Sequence, residues 1–195
     1  HKNGKELQAL GKAFGVDVIF YSSPSPAINE NHGKSLHRAG DIVVINKNSP
    51  LSHIGILGHE ITHQLKRKHP DLYKKLEEHL EIDQEEFNKF KSNLVRNVKG
   101  VFFKKDYENK AREELIAMFV GEHFNNKSFW NKVYVSDKKL FDTLVKLVNH
   151  VLDKALHVVD IVSPHFKDLQ KARKVLFEVI QETIQREAIN TTIQS

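Results

Sequence analysis

Cysteine is absent from this chain. That excludes disulfides and thiolate ligands, so any metal must be held by histidine, aspartate or glutamate. Long hydrophobic runs are missing too: none approaches the roughly 20 apolar residues that span a bilayer. The N-terminal stretch HKNGKELQALGKAFG lacks the continuous apolar segment of a signal peptide. These absences point to a soluble protein outside any membrane and favour the cytoplasm. The chain opens on His1 rather than methionine, as expected of a domain excised from a larger protein, a processed form or a tag remnant.

Charge is mixed, with 30 Lys and Arg against 25 Asp and Glu, and 12 histidines in addition. The basic clusters, Lys66 to Lys68, Lys104 with Lys105 and Lys138 with Lys139, are short and interrupted. They read as solvated faces, and nucleic acid is not an expected partner. Hydrophobic residues make up 39% of the chain and phenylalanine outnumbers the other aromatics, enough for one well-filled core. A single domain over 1–195 follows, with an α/β part to about residue 70 and a helical part beyond.

Leu7, Leu10 and Phe14 recur at helical spacing up to Gly15, and Val16 to Tyr21 then read as a strand. Ser22 to Gly40, with Pro24, Pro26, Gly33 and Gly40, reads as a long loop. Its Gly33-Lys34-Ser35 resembles the end of a phosphate-binding loop, but Ile28 stands where the earlier glycine belongs. Asp41 to Asn46 is a second strand. Ile54, Leu57, Ile61 and Leu65 then form a helix capped by Ser52 and ended by Pro70. Leu72, Leu76 and Leu80 mark the next helix, and another starts near Gln84. After a break at Gly100 and FFKKD, helical periodicity resumes from Tyr107 to His123. Leu140, Leu144, Leu147, Val151 and Ala155 form one further stripe. Ser163-Pro164 opens a last helix carrying Leu169, Ala172, Leu176, Val179 and Ile184. The expected class is α+β and mostly helical: a small N-terminal sheet, one chemically important helix beneath it, and a helical C-terminal lobe with the cleft between.

That helix contains GHEITHQL, an H-E-x-x-H pattern. His59 and His63, four apart, project from one helix face and can meet one metal ion. Catalytic zinc takes three protein ligands and an open position, where a bound water becomes acidic enough to attack a carbonyl. Glu60 lies beside that position as the general base. For the third ligand, His69 matches the metzincin spacing, but Lys66 replaces the glycine that would turn the chain back, and LKRK continues the helix up to Pro70. In AREELIAMFVGEHF, Glu114, Ala117 and Gly121 share one helix face, where small residues allow close approach to a neighbour. Glu114 is therefore the preferred ligand. Glu113, whose face carries Ile116 and Val120, is the competitor.

This combination resembles the gluzincin branch of the zincin metallopeptidases, where a glutamate followed by small residues on a second helix completes the zinc site. Over residues 40 to 125 it is also similar to metallopeptidase-like domains of phage and mobile-element polyvalent proteins. The resemblance implies one zinc ion on His59, His63 and Glu114, water activation by Glu60, and a peptide substrate extended along the Asp41 to Asn46 strand, which an exposed edge can bind by strand addition. It also implies a transition-state donor, for which Tyr107 and His123, flanking the ligand helix, are candidates. Two other classes share these features: a catalytically silent zincin-fold binding domain, and a basic helical nucleic-acid module. The sequons at Asn126 and Asn190 matter only in a secreted protein.

Overall fold

The computed structural model describes residues 2–21, 42–46, 52–97, 107–123 and 125–194. The loop over 22–40 with its Gly33-Lys34-Ser35, the start of the second strand at Asp41, and the break at 98–106 lie outside the described residues.

Helix α1 (Lys2–Ala13) buries Leu7 and Leu10. It stops at Gly15, whose φ of 72° is left-handed. Gly15 N–H donates to the Lys12 carbonyl (3.0 Å) and Val16 N–H to the Gly11 carbonyl (2.9 Å), the paired bonds of a glycine-ended helix. Strands β1 (Asp17–Tyr21) and β2 (Ile42–Asn46) pair in parallel, Asp17 opposite Ile42 and Tyr21 opposite Asn46. Beyond them come α2 (Ser52–Lys68), α3 (Pro70–Leu80), α4 (Gln84–Asn97), α5 (Tyr107–His123), α6 (Lys127–Ser136), α7 (Lys138–Val158) and α8 (Pro164–Gln194). The protein is mostly helical. That is the class expected, and of the small N-terminal sheet the described residues show one pair of strands.

One apolar cluster runs from Leu7 to Val179. Helix α2 lies in its middle, touching α1, α3, α5, α7 and β2, and it buries Ile54, Ile56, Leu57, Ile61 and Leu65. Helix α5 lies between α2 and α4, which is why it buries residues on several sides instead of along one stripe. Helix α6, which the sequence periodicity does not resolve, starts at Asn126, whose side chain accepts from Phe129 N–H, and buries Phe129, Trp130 and Val133. Ile184, placed by its spacing in the core stripe, is 61% exposed, because the buried face of α8 runs through Leu169, Ala172, Leu176, Val179 and Thr183 and Ile184 lies one position off it.

A polar cluster ties α1 and α8 to the start of α2. His53 is fully buried and stacks on His165 with ring centroids 4.3 Å apart. Glu6 Oε1 accepts from Ser163 Oγ (2.6 Å) and lies 2.7 Å from His165 Nδ1, while Asp168 Oδ2 is 3.4 Å from His53 Nε2. Burial and the neighbouring His165 hold His53 down to about 4, against the opposing pull of Asp168 and Glu6. The unfolded chain takes up this proton near pH 6.5 and the folded one only near 4. In between, the unfolded state binds more protons, so stability is intact above pH 6.5 and falls as the pH drops to 4. The expected loss is about 3 kcal/mol. Urea unfolding across that window checks it, and His53→Gln should remove that part of the slope.

Candidate metal centre

Helices α2 and α5 meet backbone to backbone because neither carries a side chain at the crossing. A Cβ on Gly58 would fall 2.1 Å from the Ala117 carbonyl oxygen, and one on Gly121 would fall 2.9 Å from the Ile54 carbonyl oxygen. The face shared by Glu114, Ala117 and Gly121 is thus the one applied to α2. It brings Glu114, one turn before Ala117, against His59, the residue after Gly58.

His59 and Glu114 are 4% and 8% exposed, and His59 Nδ1 lies 3.2 Å from Glu114 Oε1. The same oxygen lies 3.2 Å from Lys110 Nζ, one turn earlier on α5. Burial pushes the Glu114 carboxyl up, but the Lys110 ammonium and the His59 imidazole together outweigh it, leaving the group below its ordinary range and ionised at neutral pH.

His63 is half-buried, its ring parallel to that of His59 within 3° and 6.2 Å away between centroids. Two imidazoles sharing a zinc ion have centroids about 5 Å apart, so the pair stands open by about 1 Å. Among the described residues no three His, Asp or Glu side chains converge closely enough to hold an ion as they stand. The half-buried Glu60 carboxylate accepts from Gln64 Nε2 at 2.6 Å, and Thr62 Oγ1 donates to the carbonyls of Gly58 (2.9 Å) and His59 (3.1 Å).

Two atoms test whether these residues fit a metal. His59 Nε2 and Glu114 Oε1 are both buried and find no aligned hydrogen-bond partner among the described residues. The contacts of Glu114 Oε1 are ion pairs at favourable distance without hydrogen-bond geometry. Buried polar atoms are rarely left so, and an unseen ion is one of the few explanations. A lone-pair nitrogen and a carboxylate oxygen are donor types that zinc accepts; the 3.2 Å contact to the carboxylate is made by the other ring nitrogen, Nδ1, so an ion shared by Nε2 and Glu114 requires the side chains to shift. The donor set fits the metal.

The other expected residues are distributed unevenly. Glu113 pairs with Lys66 and lines a shallow depression together with His59, Thr62, His63 and Tyr73. Tyr107 begins α5, two turns before Glu114, and its side chain lies outside the described residues. His123, nine residues after Glu114 and so about 13 Å along the helix axis, stacks on Phe129 at 4.8 Å and Phe119 at 6.5 Å. It is not brought to the histidine pair. His69 is exposed between α2 and α3, with φ of −140°, so the chain goes on into α3 instead of turning back.

No protein-family model, curated protein or solved structure matches the chain. What the centre can do is set by its own residues. Two of these the sequence did not disclose. Lys110 carries an unremarkable spacing of four from Glu114. Tyr73, one position off the Leu72 and Leu76 stripe, is 8% exposed on α3. Burial and the carboxylates of Glu113 and Glu77 raise its pKa, so its hydroxyl keeps its proton and remains a donor beside the histidine pair.

Proposed function

We propose that the chain is a zinc-dependent peptidase of the zincin kind, gluzincin-like, with one zinc ion on His59, His63 and Glu114. The carrying observation is the buried meeting of His59 and Glu114, each with a polar atom lacking a hydrogen bond. Bound zinc supplies a Lewis acid and an acidified water for attack on a peptide carbonyl. Glu60, next to His59 on the half-buried side of α2, takes the proton of the attacking water and passes it to the leaving amine. Gln64 holds its carboxylate in place from one turn on. Tyr73 is positioned to donate to the developing oxyanion, a role for which Tyr107 remains the sequence-based alternative.

The substrate in this reading is an extended protein segment. Among the described residues β2 is paired on one side only, by β1, and an added strand would satisfy the other edge. Among the described residues no helix is long and apolar enough to cross a membrane.

Zinc added to metal-free protein should raise its melting temperature. At about 100 times the dissociation constant the folded state gains about 2.7 kcal/mol, or roughly 5–10 °C for a chain of this size. One observation favours a second reading: Lys110 already neutralises Glu114, as it would in a catalytically silent domain that keeps the fold for binding. A melting temperature that zinc does not move decides for that reading.

A further inference from the structure

Glu114 Oε1 has a cation beside it already. Lys110 Nζ stands 3.2 Å away, on the preceding turn of α5, and the Lys110 side chain is only 14% exposed. His59 Nδ1 approaches the same oxygen at the same distance. A zinc ion on His59 and Glu114 would therefore stand within a few ångströms of an ammonium, and both positive charges would claim one buried carboxylate oxygen. Like charges that close oppose each other strongly where water is excluded. They cannot both keep the contact.

We infer that Lys110 is a built-in competitor for the metal: in the metal-free protein its ammonium occupies the cation position at Glu114, and loading requires it to swing away. The inference rests on the proposed zinc site and goes beyond it by assigning a residue that sets the site's affinity. Three features agree with this. The lysine stem is long and flexible, and its ammonium can follow the solvent while the stem stays packed. The parallel histidine rings, 6.2 Å apart between centroids, hold no ion as they stand, so the state in which Lys110 pairs with Glu114 is the one without metal. And without a cation the buried Glu114 carboxylate would be left uncompensated, so the lysine stabilises the metal-free state specifically.

The test is zinc affinity by competition with a chromogenic chelator, measured on wild type, Lys110→Met and Lys110→Arg, with melting temperatures taken with and without zinc. Lys110→Met should bind zinc about tenfold or more tightly than wild type, because the competing charge is gone. Its metal-free form should melt lower and its zinc-induced rise should be larger, while Lys110→Arg, which keeps the charge, should stay close to wild type. Zinc binding by Lys110→Met in the absence of any by wild type would also support the competition. An affinity for Lys110→Met equal to or weaker than that of wild type overturns the inference and leaves the zinc site standing. If no form binds zinc, the site itself is wrong and the inference falls with it.

Discussion

Gly58→Ala is expected to destabilise the fold by about 3 kcal/mol or more, at the upper end of what overpacking does. The added methyl would sit 2.1 Å from the Ala117 carbonyl oxygen and 3.0 Å from its carbon. Both are backbone atoms of a helix packed on its other side by α4, so no side-chain rotation relieves the clash. The gain of about 1 kcal/mol in helix propensity on replacing glycine is too small to offset it. Gly121→Ala should be milder though still destabilising, since its backbone clash, 2.9 Å from the Ile54 carbonyl oxygen, is shallower and its nearest contact, Ile54 Cγ2 at 2.7 Å, belongs to a side chain that can shift. The two changes load the same seam, and once α2 and α5 have separated the second has less to disturb. The double variant should therefore lose less than the sum of the singles in chemical denaturation. Separation would also draw His59 away from Glu114, so zinc affinity should fall with stability.

Glu60→Gln should reduce peptide hydrolysis about a thousandfold or more, within the range for loss of a general acid-base group. Glutamine keeps the shape and the partnership with Gln64 but cannot take a proton. Glu60 is not among the residues meeting at Glu114, so zinc content and melting temperature should stay those of wild type. That separation of turnover from metal binding distinguishes a base from a ligand. Turnover of the variant comparable to wild type would assign the proton transfer elsewhere.

Helix boundaries were legible where the ends are written in local residues. Pro70 ends α2 by what a proline does to the residue before it, and Gly15 ends α1 by taking a left-handed φ. The face of α5 was legible from Glu114, Ala117 and Gly121, since spacing on one helix is a local property. What lies opposite that face was not. Gly58 inside an amphipathic helix reads as a mild weakness, and only the crossing shows that a side chain there would meet the carbonyl of Ala117. The tyrosine that faces the histidines, Tyr73, arrives from α3 through tertiary packing. The two donors chosen by proximity in sequence were on the proposed ligand helix itself, where about two and a half turns keep His123 away. Ile184 was misplaced for a different reason: the buried face continues with Thr183, a polar residue that an apolar pattern passes over, and Ile184 lies one position off it. Helix α6 was missed because ten residues give too few turns for a stripe to stand out.

The most direct measurement is the zinc content of the protein after equilibrium dialysis against buffered zinc, for wild type and for His59→Ala, His63→Ala and Glu114→Ala. One equivalent in wild type, falling to near zero in each variant while the helical circular dichroism is retained, is the predicted result. Wild type that comes out of dialysis without zinc, or Glu114→Ala that keeps a full equivalent, would contradict the proposed centre.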